Sequence, residues 1–329
     1  MTRPRGAELV VDRLQVRYRV PGGWIEAVRG VSFTVPAGRT VGLVGESGSG
    51  KSSLAKAVTG LVAPSGGSVA FAGGPVRHRP GPGGIQMVFQ DPVASLHPHR
   101  TLVDLVAEPL RWAGVARARR RERAAAALAD VGLDPAVYGG RRRHQISGGQ
   151  AQRVAIARAA LAEPELIIAD EPVAGLDVSV QAGVVNLLHR AVADRGASLL
   201  FISHDLGVVS ALCDEVVVLY LGRVCERGPT ESVLAAPRHP YTRALLDAVP
   251  EVGRVPPPSR LPAAEPPSPL HPPPGCAFHP RCPDAVAACR TAVPAPRELG
   301  GAVVSCHAAA PQTPSTEPVT SPPPDRSPP

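Results

Sequence analysis

The chain has 329 residues, 44% of them apolar, and carries 35 Lys and Arg against 28 Asp and Glu, a net charge of +7. That length accommodates one large domain or two modest ones with a sizeable core, while an aromatic share of only 3% argues against stacking platforms for single-stranded nucleic acid. No apolar run approaches the ~20 residues of a spanning helix, and the opening MTRPRGAELVVDRL lacks the apolar stretch of a secretory signal. The expectation is a soluble, intracellular chain that reaches any membrane through a partner. All basic residues except Lys51 and Lys56 are Arg. The positive excess suits nucleotides, nucleic acid or an anionic membrane face without choosing among them.

In chain order, residues 1–250 read as a globular α/β unit. Strand-length apolar runs at 41–44, 166–169, 199–202 and 216–221 alternate with helix-like stretches at 52–61, 151–161 and 180–193. That pattern predicts a sheet covered on both faces. Residues 101–138, rich in Ala, Arg and Leu, predict a helical insertion. Its Arg-rich stretch 117–123 reads as a solvated helix face, or as an attraction for anionic headgroups or acidic partner loops.

The strongest local signal is Gly45-Glu46-Ser47-Gly48-Ser49-Gly50-Lys51-Ser52, a full match to G-x-x-x-x-G-K-[ST], between the strand TVGLV and the helix SSLAKAVTGL. Backbone N–H groups of such a loop point inward at phosphate oxygens, and the helix N-terminus adds positive potential. Lys51 is placed to reach the β- and γ-phosphates, and Ser52 to ligate Mg²⁺ with its hydroxyl. The run Leu166-Ile167-Ile168-Ala169-Asp170-Glu171 ends an apolar strand in two acids, Asp170 for the metal and Glu171 to polarise the attacking water.

After residue 250 the composition changes, and more than half of the 39 prolines fall there. Residues 251–274 read as a Pro-rich linker, 275–307 as a Cys-rich unit and 308–329 as a disordered tail. Cys213 and Cys225 look isolated. Cys276, Cys282, Cys289 and Cys306 form C-x5-C-x6-C-x16-C, unlike the paired C-x2-C of most zinc ribbons. Four thiolates suit zinc or an iron–sulfur cluster. With little core, such a unit would draw its stability chiefly from metal, although a metal-free unit stays open. His279 and His307 are adjacent spare ligands or bystanders.

Ile146-Ser147-Gly148-Gly149-Gln150 precedes a helix-like stretch, and Ser203-His204-Asp205 follows the run at 199–202. With the phosphate loop and the acid pair, this ordered set resembles the ATP-binding cassette (ABC) ATPases over residues 8–250. The resemblance implies a P-loop NTPase fold: a RecA-like core, an antiparallel β subdomain and a helical subdomain at about 92–160. It implies that Gly45, Glu46, Ser47, Gly48, Ser49, Gly50, Lys51, Ser52 and Ser53 bind nucleotide. It implies that Tyr18 stacks on adenine, with Trp24 a rival and a sheet-packed Tyr18 the alternative. Gln90 matches the glutamine loop that contacts Mg²⁺ or water beside Ser52 and Asp170. Ser147, Gly148, Gly149 and Gln150 match the signature that closes over ATP on the opposite subunit. Glu171 matches the catalytic base, Asp177 the D-loop acid and His204 the switch histidine.

Three departures from the family pattern stand out. Ile146 replaces Leu, Ala174-Gly175-Leu176-Asp177 replaces Ser-Ala-Leu-Asp, and Arg141-Arg142-Arg143-His144 stands where Tyr-Pro is usual.

Phe89-Gln90-Asp91-Pro92, Asp177-Val178-Ser179-Val180-Gln181, the His239-Pro240-Tyr241-Thr242 segment and the cysteine unit resemble the dipeptide, oligopeptide and nickel importer ATPases in particular. That resemblance implies an ATP- and Mg²⁺-dependent subunit energising peptide uptake, with nickel or another small solute as the alternative cargo. It tips the cysteine unit toward [4Fe–4S] over zinc. It implies a peripheral position on the cytoplasmic face of the cell membrane, against two transmembrane permease subunits. A second ATPase chain, different in kind or a copy, and indirectly an extracytoplasmic solute-binding protein complete the set. Nucleic acid is not expected as a partner. A non-transport cassette ATPase acting on DNA or the ribosome is the rival reading.

Overall fold

The computed structural model describes residues 6–76, 83–194, 196–249 and 266–309. Residues 251–265 of the expected linker and 310–329 of the expected tail lie outside the described residues.

The chain opens with an antiparallel hairpin, β1 (Leu9–Val20) and β2 (Gly23–Val35). In β1 the side chains of Leu9, Val11, Leu14 and Val16 are buried. The three-residue step from Val11 to Leu14 breaks the period of two, and a bulge absorbs it at Arg13 (φ 43°), whose N–H donates to Ser32 Oγ at 2.7 Å. One face of the strand therefore stays turned to the core. Next come β3 (Thr40–Val44), α1 (Lys51–Val58), β4 (Gly66–Phe71) and β5 (Gly74–Pro75), and the first sheet runs β2-β1-β4-β5. Helix α1 stops short of the expected 61, where the Leu61 N–H folds back to the Lys56 carbonyl at 2.9 Å.

β6 (Ile85–Val88) precedes the helical segment: α2 (Leu102–Val106), α3 (Glu108–Trp112), α4 (Arg117–Asp130), α5 (Pro135–Tyr138) and α6 (Gly148–Leu161). Leu105, Leu110, Leu128 and Val154 form its own small core. Arg121 and Arg123 of α4 pair with Asp104 at 3.2 Å and Glu163 at 2.7 Å on the surface. The chain then runs β7 (Leu166–Asp170), α7 (Val178–Ala193), β8 (Ser198–Ser203), α8 (Leu206–Leu212), β9 (Glu215–Tyr220), β10 (Arg223–Pro229), α9 (Thr230–Ala235) and α10 (Pro240–Asp247). A last hairpin is β11 (Arg297–Leu299) and β12 (Ala302–Val304).

The second sheet has the order β11-β12-β10-β9-β3-β8-β7-β6. Its neighbours from β9 to β6 are parallel, while β10, β12 and β11 are added antiparallel. Every residue of β3, β7 and β8 is buried, so these strands read as continuous apolar runs. Alternate side chains face two different layers. Val41, Leu43, Leu166, Ile168, Leu200 and Ile202 pack on α1 and the first sheet. Ile167, Ala169, Leu199, Phe201 and Val218 pack on α6, α7 and α8.

Chain order sets the cysteine unit apart behind a Pro-rich stretch, yet its hairpin extends the main sheet. Glu226 and Arg227 of β10 pair with Val304 and Val303 of β12. Phe278, Ala302, Val304 and Cys306 belong to the same apolar cluster as Phe201 and Tyr220. Burying one Phe-sized side chain contributes roughly 1.5–3 kcal/mol, so this unit docks by its own hydrophobic contacts as well as by strand pairing.

Candidate functional site

The loop between β3 and α1 is shaped by two glycines. A Cβ on Gly45 (φ 155°) would meet the Leu219 carbonyl oxygen at 2.1 Å, and one on Gly50 (φ 104°) would meet the Ala27 carbonyl oxygen at the same distance. Only glycine lets the loop lie this close to the β9–β10 turn and to β2 while capping α1. Lys51, 4% exposed, turns its ammonium back into the loop and donates to the Gly45 carbonyl at 2.7 Å and the Glu46 carbonyl at 3.0 Å. Burial lowers its pKa, against the pull of the Glu171 carboxylate, whose Oε1 lies 3.7 Å away.

Ser52 Oγ donates to Asp170 Oδ1 at 3.2 Å, bringing the first turn of α1 to the end of β7. Burial raises the Asp170 pKa, and the Ser52 hydrogen bond works against that rise. Glu171 adopts φ 44°, a conformation rare for a residue with a side chain, and its N–H is held by the Ile202 carbonyl at 2.9 Å. Its carboxylate meets two further groups: Gln90 Nε2 donates to Oε2 at 3.1 Å, and His204 Nδ1 lies 3.7 Å from the same oxygen. Lys51, Gln90 and His204 thus converge on the Glu171 carboxylate from three other segments. The neighbouring Asp205 is structural and caps α8, its Oδ1 accepting from the N–H groups of Gly207 and Val208.

Tyr18, Ser47, Gly48, Gly50, Lys51, Ser52, Ser53, Gln90 and Glu171 line one cleft of about 460 Å³. Ile25, Ala27, Leu221 and Pro269 also line it, and Pro269 comes from the stretch read as linker. No local motif marks Pro269, because its place depends on where the C-terminal unit docks. Trp24 lines a separate groove with Arg19, Pro21 and Gly22, and Arg17 stacks over its ring at 4.6 Å.

Ser147, Gly148, Gly149 and Gln150 do not line this cleft. Ser147 caps α6 in a reciprocal box: its Oγ accepts from the Gln150 N–H at 3.3 Å, and the Gln150 side chain accepts from the Ser147 N–H at 3.0 Å. Asp177 stands exposed before α7 without a capping bond of its side chain. Arg143, from the Arg-rich departure, donates to the carbonyls of Val93 and Leu96, both at 3.1 Å, and so ties the approach to Ser147 to the segment after Gln90.

Among the described residues, no three His, Cys, Asp or Glu side chains converge closely enough to hold a metal ion. The thiols are neighbours nonetheless. Burial raises Cys276, and proximity to Cys289 and Cys306 adds to it. Burial also pushes Cys282 up to about 11. The His279 N–H donates to the Cys276 carbonyl at 3.0 Å, which closes the turn between Cys276 and Cys282. Cys225, isolated in the sequence, is fully enclosed beside Cys276 and Cys306. The two spare histidines are otherwise engaged: His279 Nδ1 bonds the Cys276 carbonyl and His307 Nε2 the Ala292 carbonyl, both at 2.9 Å.

The description "ABC transporter" matches residues 28–174, and "Oligopeptide/dipeptide transporter, C-terminal region" matches residues 225–289. A di/tripeptide transport ATP-binding protein, DppF, of Pseudomonas aeruginosa is 46% identical over 292 residues, 86% of this chain and 90% of that protein. The oligopeptide transport ATP-binding protein OppF of Escherichia coli is 44% identical over 313 residues, 88% of this chain and 92% of its own. Among solved structures, a dimeric ATP-binding cassette, MJ0796, in a post-hydrolysis state with ADP and Pi is 27% identical. It covers 68% of this chain and 98% of its own, with a TM-score of 0.61. The cbiO1 protein of Clostridium perfringens, part of an ABC transporter complex, is 29% identical, covers 69% of this chain and 90% of its own, and has a TM-score of 0.59. With its phosphate loop, acid pair and matched C-terminal region in place, the chain belongs to the ABC transporter ATP-binding proteins of the oligopeptide/dipeptide group.

Proposed function

We propose that the chain is the ATP-hydrolysing subunit of an importer for dipeptides or oligopeptides. The observation that carries this reading is the meeting of Lys51, Gln90 and His204 at Glu171, beside the Ser52–Asp170 pair, at a cleft lined by Tyr18, Lys51, Ser52, Gln90 and Glu171. The peptide cargo is supported by the C-terminal match and by the names of the relatives at about 45% identity.

The residues fit ATP and its metal. The glycine-shaped loop leaves room where a Cβ would collide, Lys51 supplies a buried positive charge, and Ser52, Asp170 and Gln90 supply the oxygen ligands Mg²⁺ prefers. Mg²⁺ would neutralise charge on the phosphate oxygens. Glu171 is held where it can orient and deprotonate a water aimed at the γ-phosphorus. Gln90 donates to that carboxylate and fixes its rotamer, and His204 stands ready to bond the γ-phosphate oxygens. The water oxygen forms the new P–O bond, the bond to the β–γ bridging oxygen breaks, and ADP leaves with phosphate. Tyr18 would stack on adenine from the far wall.

Ser147, Gly148 and Gly149 present the N-terminus of the 14-residue α6 away from this cleft, an arrangement suited to a γ-phosphate held by a second cassette. Asp177, exposed just before α7, would meet the same partner. The assembly proposed is two cassettes, different chains favoured, against two permease subunits on the cytoplasmic face, fed by an extracytoplasmic binding protein. The described residues contain no helix long and apolar enough to cross a membrane.

For Cys276, Cys282, Cys289 and Cys306 we propose thiolate ligation of [4Fe–4S], with zinc the alternative. Four soft donors in one small unit, with Cys276 near Cys289 and Cys306, support it. The cluster would brace the unit, and no step of hydrolysis runs through it.

Gentle detergent extraction of the tagged chain from native membranes tests the assignment. Recovery with two hydrophobic subunits and a cassette ATPase is expected. Recovery only with ribosomes or DNA would overturn it.

A further inference from the structure

Glu46, inside the phosphate loop, does not line the nucleotide cleft. Its carboxylate is held from outside by Arg281, with Nη1 donating to Oε2 at 2.8 Å and Nη2 to Oε1 at 3.1 Å. These residues are 235 positions apart. Arg281 is 6% exposed and also donates to Tyr220 Oη at 3.3 Å. The Glu46 backbone N–H, meanwhile, donates to Tyr241 Oη at 2.8 Å. Tyr220 packs edge to face on Tyr241 and on Phe278, which are tilted against each other; the ring centroids are 4.7 to 5.3 Å apart, and all three are buried. Tyr241 is aimed by the turn before it. His239 Nδ1 accepts from the Tyr241 N–H at 3.0 Å, and the buried Glu226 accepts from the N–H groups of Arg238 and His239.

One phosphate-loop residue is therefore held at its backbone by Tyr241 of α10 and at its side chain by Arg281 of the C-terminal unit. We propose that Arg281 is a positioning residue for nucleotide binding: it neutralises and anchors Glu46, so that the C-terminal unit sets the shape and the charge of the phosphate loop. The physical reason is that an unpaired carboxylate in this loop would repel the phosphates of the incoming nucleotide, and water is largely excluded from the pair. A two-pronged guanidinium both cancels the charge and fixes the carboxylate plane, which an ammonium cannot do. The inference rests on the loop being the ATP site.

The test is ATP affinity and steady-state ATPase of the full-length chain, in wild type, Arg281→Ala, Glu46→Gln and the double variant. Arg281→Ala is expected to raise KM and Kd for ATP by about five- to tenfold with a smaller loss of kcat, as one uncancelled charge near the phosphates requires. Adding Glu46→Gln removes that charge and is expected to restore most of the affinity, a coupling that mere loss of packing would not produce. Unchanged affinity in Arg281→Ala, or a double variant as weak as the single, overturns the proposal. If Arg281→Ala does not accumulate folded, Arg281→Lys carries the same test: a rise in KM of about two- to threefold, erased by Glu46→Gln, with no rise overturning it. Lys51→Ala run alongside separates the two readings, because only a failure of the ATP site itself would leave that variant binding normally.

Discussion

Gln90 Nε2 donates to Glu171 Oε2 at 3.1 Å across 81 residues of chain, so the amide that follows β6 holds the carboxylate that follows β7. These strands are parallel neighbours at the edge of the sheet, with Val88 paired to Ala169, and both side chains leave from the same carboxyl end. In open α/β sheets that end is where ligands bind. Glu171→Gln is expected to keep ATP binding while cutting turnover by at least ~100-fold, as loss of a general base does. Single-turnover hydrolysis with radiolabelled ATP measures it, and turnover near wild type would remove Glu171 from its role.

Lys51 is the buried cation of the loop, and nothing else among the residues lining the cleft offers the phosphates a positive side chain. Lys51→Ala is expected to abolish ATP binding as read by equilibrium dialysis. It is not expected to unfold the chain, because the ammonium bonds only loop carbonyls and Glu171.

Tyr18 and Trp24 divide the adenine question by position, since Tyr18 lines the cleft and Trp24 a different groove. Tyr18→Ala is expected to weaken ATP binding by about tenfold, the equivalent of one lost stacking contact of ~1–2 kcal/mol. Trp24→Ala is expected to change it less than twofold. The reverse ranking in a titration would exchange their roles.

His239 carries a pH dependence with a definite sign. Burial, with Arg243 adding to it, depresses its pKa from 6.5 to about 3. The unfolded chain therefore binds a proton near pH 6.5 that the folded chain refuses until about pH 3. The stability this provides is complete above pH 6.5 and is lost as pH falls toward 3, by about 2 kcal/mol at pH 5. His239→Asn keeps an acceptor for the Tyr241 N–H without titrating. Its unfolding midpoint is expected to fall less between pH 7 and pH 5 than that of the wild type in urea titrations. Parallel curves would refute the assignment.

The cysteine proposal has a direct optical test. Protein purified without oxygen is expected to be brown, and Cys282→Ser to bleach it. Colourless wild-type protein containing stoichiometric zinc by elemental analysis would reverse the choice of metal.

Those motifs whose chemistry is local could be read along the chain. Gly45 to Ser52 announce a phosphate loop because the glycines, the lysine and the following helix are contiguous, and LIIAD announces a buried strand ending in acids because a parallel strand is covered on both faces. The order of these motifs was sufficient to identify the family. What only tertiary structure decided are the contacts made across long stretches of chain. Cys225 joins Cys276 and Cys306, Pro269 walls the cleft, and Arg281 with Tyr241 grips Glu46. None of these has a periodic or contiguous signature. Each depends on β12 pairing with β10 and on Phe278 entering the apolar cluster beside Tyr220, which brings the C-terminal unit against the phosphate loop.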